Sequence, residues 1–314
     1  MMSLGLAALL DALLGDPPGW SWHPIRLIGR LIAWLEPRLR QLIRWPGLAG
    51  GVLALGLPLA IWAASFGLCR AAGWLSPWLG LLASAGILYT CFSARDLASH
   101  ALAVARACEA KDLAAGRMAV AKMVGRDTQN LDEEGVLRAA VESVAESCCD
   151  AVVAPLFFAL LGGAPLCLAY KAVSTLDSMV GYRNPTYERF GMLSARLDDL
   201  LNWLPARLSA LLIGLAAPLL GLSLRQAWAC ARADAMSQPS PNSGWPEAAF
   251  AGALGLRLGG LNYYQGVASP KPYLGQARQP FSAQALRQAV RLMLATAGLG
   301  FGLGLGLLAL LGRL

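Results

Sequence analysis

Arg138, Glu142, Glu146 and Asp150 recur at every fourth position, and the twenty residues that follow, 151–170, carry no charge. On a helix the four share one face. Like carboxylates four apart repel by a few tenths of a kcal/mol even in an exposed helix. Three of them at the edge of an apolar run therefore call for a compensating cation. Two readings stand side by side. In one the face is solvated and Arg138 pairs with Glu142 at i,i+4. In the other the carboxylates hold Mg²⁺, a hard cation that needs only one or two of them when substrate phosphate supplies further oxygens. Residue types alone divide these evenly.

Other polar groups sit at the borders of apolar runs. Lys171 is followed by Ser174-Thr175-Leu176-Asp177-Ser178 and then Gly181-Tyr182-Arg183-Asn184. Snorkelling is the simplest account of Lys171, although Lys and Arg together also bind phosphate or carboxylate. Arg196 with Asp198-Asp199, then Asn202-Trp203, repeats the mixture. A proton- or ion-coupled transporter buries ionisable residues near the membrane midplane. Apart from Asp11 the apolar runs here contain none. An enzyme working at the cytoplasmic surface fits this distribution better than a carrier or a purely structural membrane protein.

The elements that must position these groups are legible in the composition. Of 314 residues, 56 % are hydrophobic and 14 % charged, against about a quarter charged in soluble domains. No Asp, Glu, Lys or Arg occurs in 45–69, 71–94, 151–170, 208–224 or 292–312, and a spanning helix needs ~20 mostly apolar residues. The expectation is an all-α, polytopic integral membrane bundle forming one embedded domain over 1–314. Its spans are expected at about 47–69, 72–94, 208–224 and 291–312, with a tight external turn near Arg70 and Gly73. Residues 1–15 make a short apolar helix, retained because Asp11 lies within it and Asp16-Pro17-Pro18 replaces a cleavage site. The net charge of +7 follows the membrane: Arg26, Arg30, Arg38, Arg40 and Arg44 form one basic group, with seven Lys/Arg in 95–138 and seven in 225–291. The positive-inside rule puts all three groups in the cytoplasm, including segments 95–150 and 225–290. No basic patch is interleaved with aromatics, so lipid rather than nucleic acid is the partner. The seven cysteines contain no C-x-x-C pair and there are two histidines, so reduced structural thiols are expected rather than a zinc site.

Between the spans, 97–124 reads as one helix, broken at Gly125-Arg126-Asp127-Thr128. Asn130 with Glu133 resembles a capping box for a helix from Leu131 toward Pro155. Its apolar side is Leu137, Val141, Val144 and Val152. Gly162-Gly163 interrupts the next apolar run, so 151–170 is either a span or a re-entrant segment. The basic residues of 171–207 favour the re-entrant form. Residues 237–273 form a Pro-, Gly- and aromatic-rich loop in which Pro239, Pro241 and Pro246 forbid a continuous helix. Ordered loops of this length usually serve a function.

Several long stretches, in order, resemble a known family. They are GDPPGWSWHPIRLIGRLI at 15–32, GRDTQNLDEEGVLRAAVESVAESCCDAVVAPLFFALLGGAP at 125–165, YKAVSTLDSMVGYR at 170–183, ARLDDLLNWLPAR at 195–207 and SPNSGWPEAAFAGALGLRLGGLNYYQG at 240–266. Together they resemble the adenosylcobinamide-phosphate synthases, called CobD or CbiB, over essentially the whole chain.

The resemblance implies a multi-pass enzyme of the bacterial inner membrane with its site facing the cytoplasm. It would join (R)-1-amino-2-propanol phosphate, or aminopropanol, to the free propionate of adenosylcobyric acid, with ATP and Mg²⁺. In that role Glu142, Glu146 and Asp150 would hold Mg²⁺ or position the amine. Arg126, Lys171 and Arg183 would neutralise the anionic substrates, Asp127 and Arg196 would be further substrate-binding residues, and Asp177, Asp198 and Asp199 would be further metal or base candidates. Asn242, Trp245, Glu247, Asn262 and Tyr263 would contact the corrinoid. His23-Pro24 reads as a helix boundary with a structural hydrogen bond rather than as an axial cobalt ligand. An AmpE-like membrane sensor and a corrinoid carrier are the alternative functions. The pathway context would make cobalamin synthase or a second copy of the chain the protein partner.

Overall fold

The computed structural model describes residues 2–17, 19–182 and 184–312. The chain is 74 % helical and divides into two compact units. One comprises Met1–Ser93, Ala154–Asn202 and Leu303–Leu314, the other Ala94–Val153 and Trp203–Gly302. Among the described residues, five helical stretches are long and apolar enough to cross a membrane: Pro46–Leu75, Pro77–Glu109, Glu133–Val180, Met192–Leu220 and Ala283–Leu310. The multi-pass helical architecture read from the charge-free runs is therefore the observed one.

The first unit opens with α1 (Met2–Leu14) and α2 (Pro24–Leu42). His23 caps α2 through Nδ1, which accepts the Ile25 amide at 3.3 Å, while Nε2 lies 3.4 Å from Asp16. That is the structural role expected of it. Next, α3 (Pro46–Leu75) runs straight through Arg70 and Gly73, so the expected turn there moves. It falls at Ser76, whose hydroxyl accepts the Trp78 amide at 3.3 Å to start α4 (Pro77–Tyr89). Arg70 is tolerated because it lies about 36 Å along the helix, beyond the ~30 Å hydrocarbon thickness.

In the second unit the single helix expected over 97–124 is two, α5 (Ala94–Glu109) and α6 (Leu113–Val120). Lys111 takes a left-handed φ of 57°, and the Asp112 amide reaches back to the Ala107 carbonyl at 2.9 Å, a Schellman-type stop. Asp112 then caps α6 through the Ala115 amide at 2.9 Å. The following helix, α7 (Glu133–Cys148), is capped by Asp132 and not by Asn130: Asp132 Oδ1 accepts the Gly135 amide at 2.8 Å. Glu133 and Glu134 complement the helix dipole in the first turn. The expected two-faced helix is instead buried almost all round, from Val136 through Ala145, with Glu142 included. At Cys149 the α-repeat gives way to a π-helical turn, Cys149–Val153, which holds Asp150.

Next comes α8 (Ala154–Val180), which doubles back on itself within the first unit. Gly162 (φ −140°, ψ 18°) and Gly163 (φ 69°, ψ −161°) are not helical. Pro155 and Cys167 would lie about 18 Å apart on a straight helix, yet the Cys167 thiol donates to the Pro155 carbonyl at 3.3 Å. The Phe158 and Tyr170 rings stack across the same reversal at 4.6 Å. The Gly163 backbone lies in a region essentially reserved for glycine. Gly163→Ala is expected to cost about 1–3 kcal/mol, read as a lowered melting midpoint of the purified protein; an unchanged midpoint would mean the reversal does not depend on that conformation.

The remaining elements are α9 (Met192–Ala216), α10 (Leu224–Asp234), α11 (Gly244–Leu254), strands β1 (Leu258–Tyr264) and β2 (Val267–Leu274), and α12 (Ala283–Leu310). The region expected as a loop over 237–273 thus contains a helix and a hairpin. Pro246 fits α11 because it stands in the first turn, where its missing N–H is not needed. The hairpin turn, Gln265-Gly266, has positive φ at both positions, 52° and 78°, as a two-residue primed turn demands.

Candidate functional site

A two-stranded hairpin is marginal by itself, and this one is fastened to α7 and to the 125–128 break. Asp127 closes the turn: Oδ1 accepts the Gln265 amide at 3.1 Å, Oδ2 the Gly266 amide at 2.7 Å, and its own amide donates to Tyr263 O at 2.8 Å. Its carboxylate is therefore engaged by the hairpin rather than open toward a substrate. Arg138 does not pair with Glu142. It donates instead to the Gly259 carbonyl through Nη1, and through Nη2 to Leu261 O at 3.1 Å and Asn262 Oδ1 at 3.5 Å.

Glu142 is met from two other directions. Oε1 accepts the Gly259 amide at 2.7 Å, and Oε2 lies 2.6 Å from Arg126 Nη2. Arg126 Nη1 also donates to Asn262 Oδ1 at 2.8 Å. Glu142 is 3 % exposed and Arg126 9 %, so each charge survives burial only through the other and through these hydrogen bonds. Gly259 is indispensable here: φ is 93°, and a Cβ would fall 2.1 Å from the Pro272 carbonyl oxygen.

Beside this pair stands Glu247 of α11, 2 % exposed. Gln238 Nε2 donates to its Oε2 at 3.2 Å, and Oε1 is buried without a hydrogen bond among the described residues. Burial, reinforced by the negative charges of Glu146 and Glu142 and opposed by Lys271 and Arg126, pushes its carboxyl up to about 8. Lys271 lies opposite Gly260 on β2, on the same hairpin face as Asn262 by strand alternation. Burial alone would lower its pKa, but Glu247, Glu146, Tyr264 and Glu142 raise it above the ordinary lysine value. Near neutrality we assign the proton to Glu247 and the positive charge to Lys271, with the exposed Glu146 at the edge.

Arg126, Glu142, Glu146, Glu247 and Asn262 are thus brought together, with Lys271 and Gln238 as additions that no local pattern marked. Lys271 is the lone cation of Ser269-Pro270-Lys271-Pro272, and prolines on both sides hide the strand that aims it. Trp245 stacks on the Arg207 guanidinium at 4.9 Å, Asn242 is buried, and Tyr263 is exposed on the outer face of the hairpin. In the other unit, Lys171 and Asp177 lie on α8, and Arg196, Asp198 and Asp199 on α9. There Asn202 links Tyr170 to Asp198 by hydrogen bonds of 2.9 and 2.9 Å. Arg183 lies outside the described residues. Among the described residues no three of His, Cys, Asp and Glu converge as a ready-made metal cage.

The sequence model of the family described as CobD/Cbib protein matches residues 4–293. The chain is 51 % identical over 288 residues to a protein of Geobacter metallireducens named cobalamin biosynthesis protein CobD, covering 91 % of this chain and 90 % of that one. It is 46 % identical over 301 residues to the protein of the same name from Klebsiella pneumoniae, covering 94 % and 93 %. With the cobalamin biosynthesis protein CbiB of Salmonella typhimurium the identity is 43 % over 293 residues, covering 92 % and 91 %. No solved structure matches.

Proposed function

The chain belongs to the CobD/CbiB family of cobalamin biosynthesis proteins, and on that premise we propose that it is an ATP-dependent amide ligase. It joins aminopropanol phosphate, or aminopropanol, to the free propionate of adenosylcobyric acid. The observation that carries the reading is Glu247, a buried carboxyl raised to about 8 and facing Glu146 and Lys271. An amine is inert toward a carboxylate until the carboxylate gains a leaving group. In the proposed sequence a propionate oxygen attacks the γ-phosphorus of ATP, giving an acyl phosphate and ADP. The amine nitrogen then attacks the acyl carbon, phosphate leaves, and the nitrogen gives up a proton. A general base works best with a pKa near the operating pH, and Glu247 meets that requirement. Lys271 neutralises phosphate oxygens, while Arg126, Arg138, Glu142 and Asn262 hold the hairpin that carries it.

The residues fit a Mg²⁺ that arrives with the nucleotide and keeps water and phosphate as most of its ligands. The exposed Glu146 would hold it, and the ion would neutralise charge on the transferring phosphoryl group. Asp150, Lys171, Asp177, Arg183, Arg196, Asp198 and Asp199 keep, through the family resemblance alone, the metal, base and anion-binding roles given above. Orientation with the site toward the cytoplasm belongs to the same proposal.

Purified protein in detergent, given adenosylcobyric acid, aminopropanol phosphate and Mg-ATP, should form the new amide only when ATP is present. A carrier would form none. Glu146→Gln is expected to raise the Mg²⁺ concentration for half-maximal rate roughly tenfold or more, with Glu146→Asp closer to the parent. Unchanged Mg²⁺ dependence would remove Glu146 from the metal site.

A further inference from the structure

A separate cavity of about 260 Å³ lies between α10, α11 and the end of β2. It exists because the two helices meet backbone to backbone and leave a floor of small residues. A Cβ on Gly252 would sit 2.3 Å from the Gln226 carbonyl oxygen. Two opposite charges line the cavity, Asp234 and Arg278, and they do not pair with each other or with any other charged group among the described residues. Each is anchored in place. Asp234 Oδ2 accepts the Gly275 amide at 2.8 Å and the Cys230 thiol at 3.4 Å, which leaves Oδ1 without a hydrogen bond among the described residues. Gln276 Oε1 accepts from Arg278 Nε at 3.4 Å and Nη2 at 3.1 Å, and the Arg278 amide donates to Gly255 O at 3.0 Å.

A carboxylate and a guanidinium held apart in one small cleft are complementary to a molecule that brings a counter-charge to each. The cleft is smaller than the ~300–1,000 Å³ typical of drug-sized ligands, and Gln226 adds an amide at its wall. We propose that it binds a small zwitterion, with the ammonium on Asp234 and an oxyanion on Arg278. Arg278 matches phosphate or carboxylate geometry through its planar fork. Resting on the ligase reading, the natural occupant is the amine donor in its phosphorylated form. Ala251 at the cleft lies one helical turn, about 6 Å, from Glu247 along α11.

Calorimetric titration of the full-length protein in detergent, without ATP or corrinoid, tests this with four probes: aminopropanol phosphate, inorganic phosphate, aminopropanol and γ-aminobutyrate. Aminopropanol phosphate is expected to bind at least about tenfold tighter than phosphate or aminopropanol, and Arg278→Gln or Asp234→Asn to weaken it about tenfold or more. Arg278→Lys should restore part of the loss, and unchanged melting midpoints would show that the variants are folded. Equal affinity for phosphate alone, or no loss in Arg278→Gln, overturns the site. Tighter binding of γ-aminobutyrate overturns the assignment to a phosphorylated donor. The ligation assay is independent of these heats. Arg278-dependent binding without any amide product refutes the ligase and keeps the zwitterion site, whereas amide formation with no such binding refutes the site alone.

Discussion

Replacing Glu142 with alanine is expected to cost about 3–5 kcal/mol of folding stability. The substitution strands the Arg126 guanidinium in a place where it is 9 % exposed and leaves the Gly259 amide without its acceptor. Breaking one side of a buried pair costs far more than the pair contributes, because the surviving charge keeps its desolvation penalty. Glu142→Gln should be milder, since it still accepts from Gly259. The double variant Arg126→Met/Glu142→Leu should lose less than the two single losses added together, because it leaves no orphaned charge. Thermal unfolding of the purified protein reads all of these. A midpoint for Glu142→Ala within about 2 °C of the parent, under roughly 1 kcal/mol, would show that the ion pair does not hold the hairpin.

Glu247→Gln is expected to lower the ligation rate about 10²–10⁴-fold and to change the shape of its pH profile. The base must be unprotonated to accept a proton, and its carboxyl is raised to about 8. In the parent kcat/KM should therefore climb with pH and level off above about 8. The variant should lose that limb. Stability moves the other way. A carboxyl raised in the folded state from 4.5 to about 8 contributes stability below the lower value, which is lost as pH rises through the upper one. Relative to Glu247→Gln, the parent should weaken between these two values. A rate limb that persists unchanged in the variant would place the base elsewhere.

What is legible in the sequence is whatever is local. Apolar runs of membrane length carry their own signal, and Gly162-Gly163 announces the break in α8 by residue type alone. Long-range placement leaves no such trace. Arg138 and Glu142 stand one turn apart, so pairing is the obvious reading, but two backbone carbonyls and an amide of the hairpin displace it for both. Burial of α7 on nearly every side comes from α5 and α6 before it together with α11 and β1 far after it, while its own sequence reads as two-faced. Gln265-Gly266 lacks the Asn or Asp that usually announces a primed turn, because Asp127 stabilises that turn from outside. Lys111 ends a helix in a conformation that glycine usually takes. The family motifs contain Arg126, Glu142, Glu247 and Asn262, but nothing in them says which of these side chains touch.

The two ties at the heart of the site also have a history in time. Gly259 lies 117 positions after Glu142, and Asn262 lies 136 after Arg126. At ~5–20 residues per second, roughly 6–27 s of synthesis separate each early charge from the segment that will receive it. During that interval the Gly259 amide and the Asn262 side chain that Glu142 and Arg126 bind in the folded protein do not yet exist. The two ties therefore close only after β1 has been synthesised, so the buried charges acquire their hairpin partners late relative to their own synthesis.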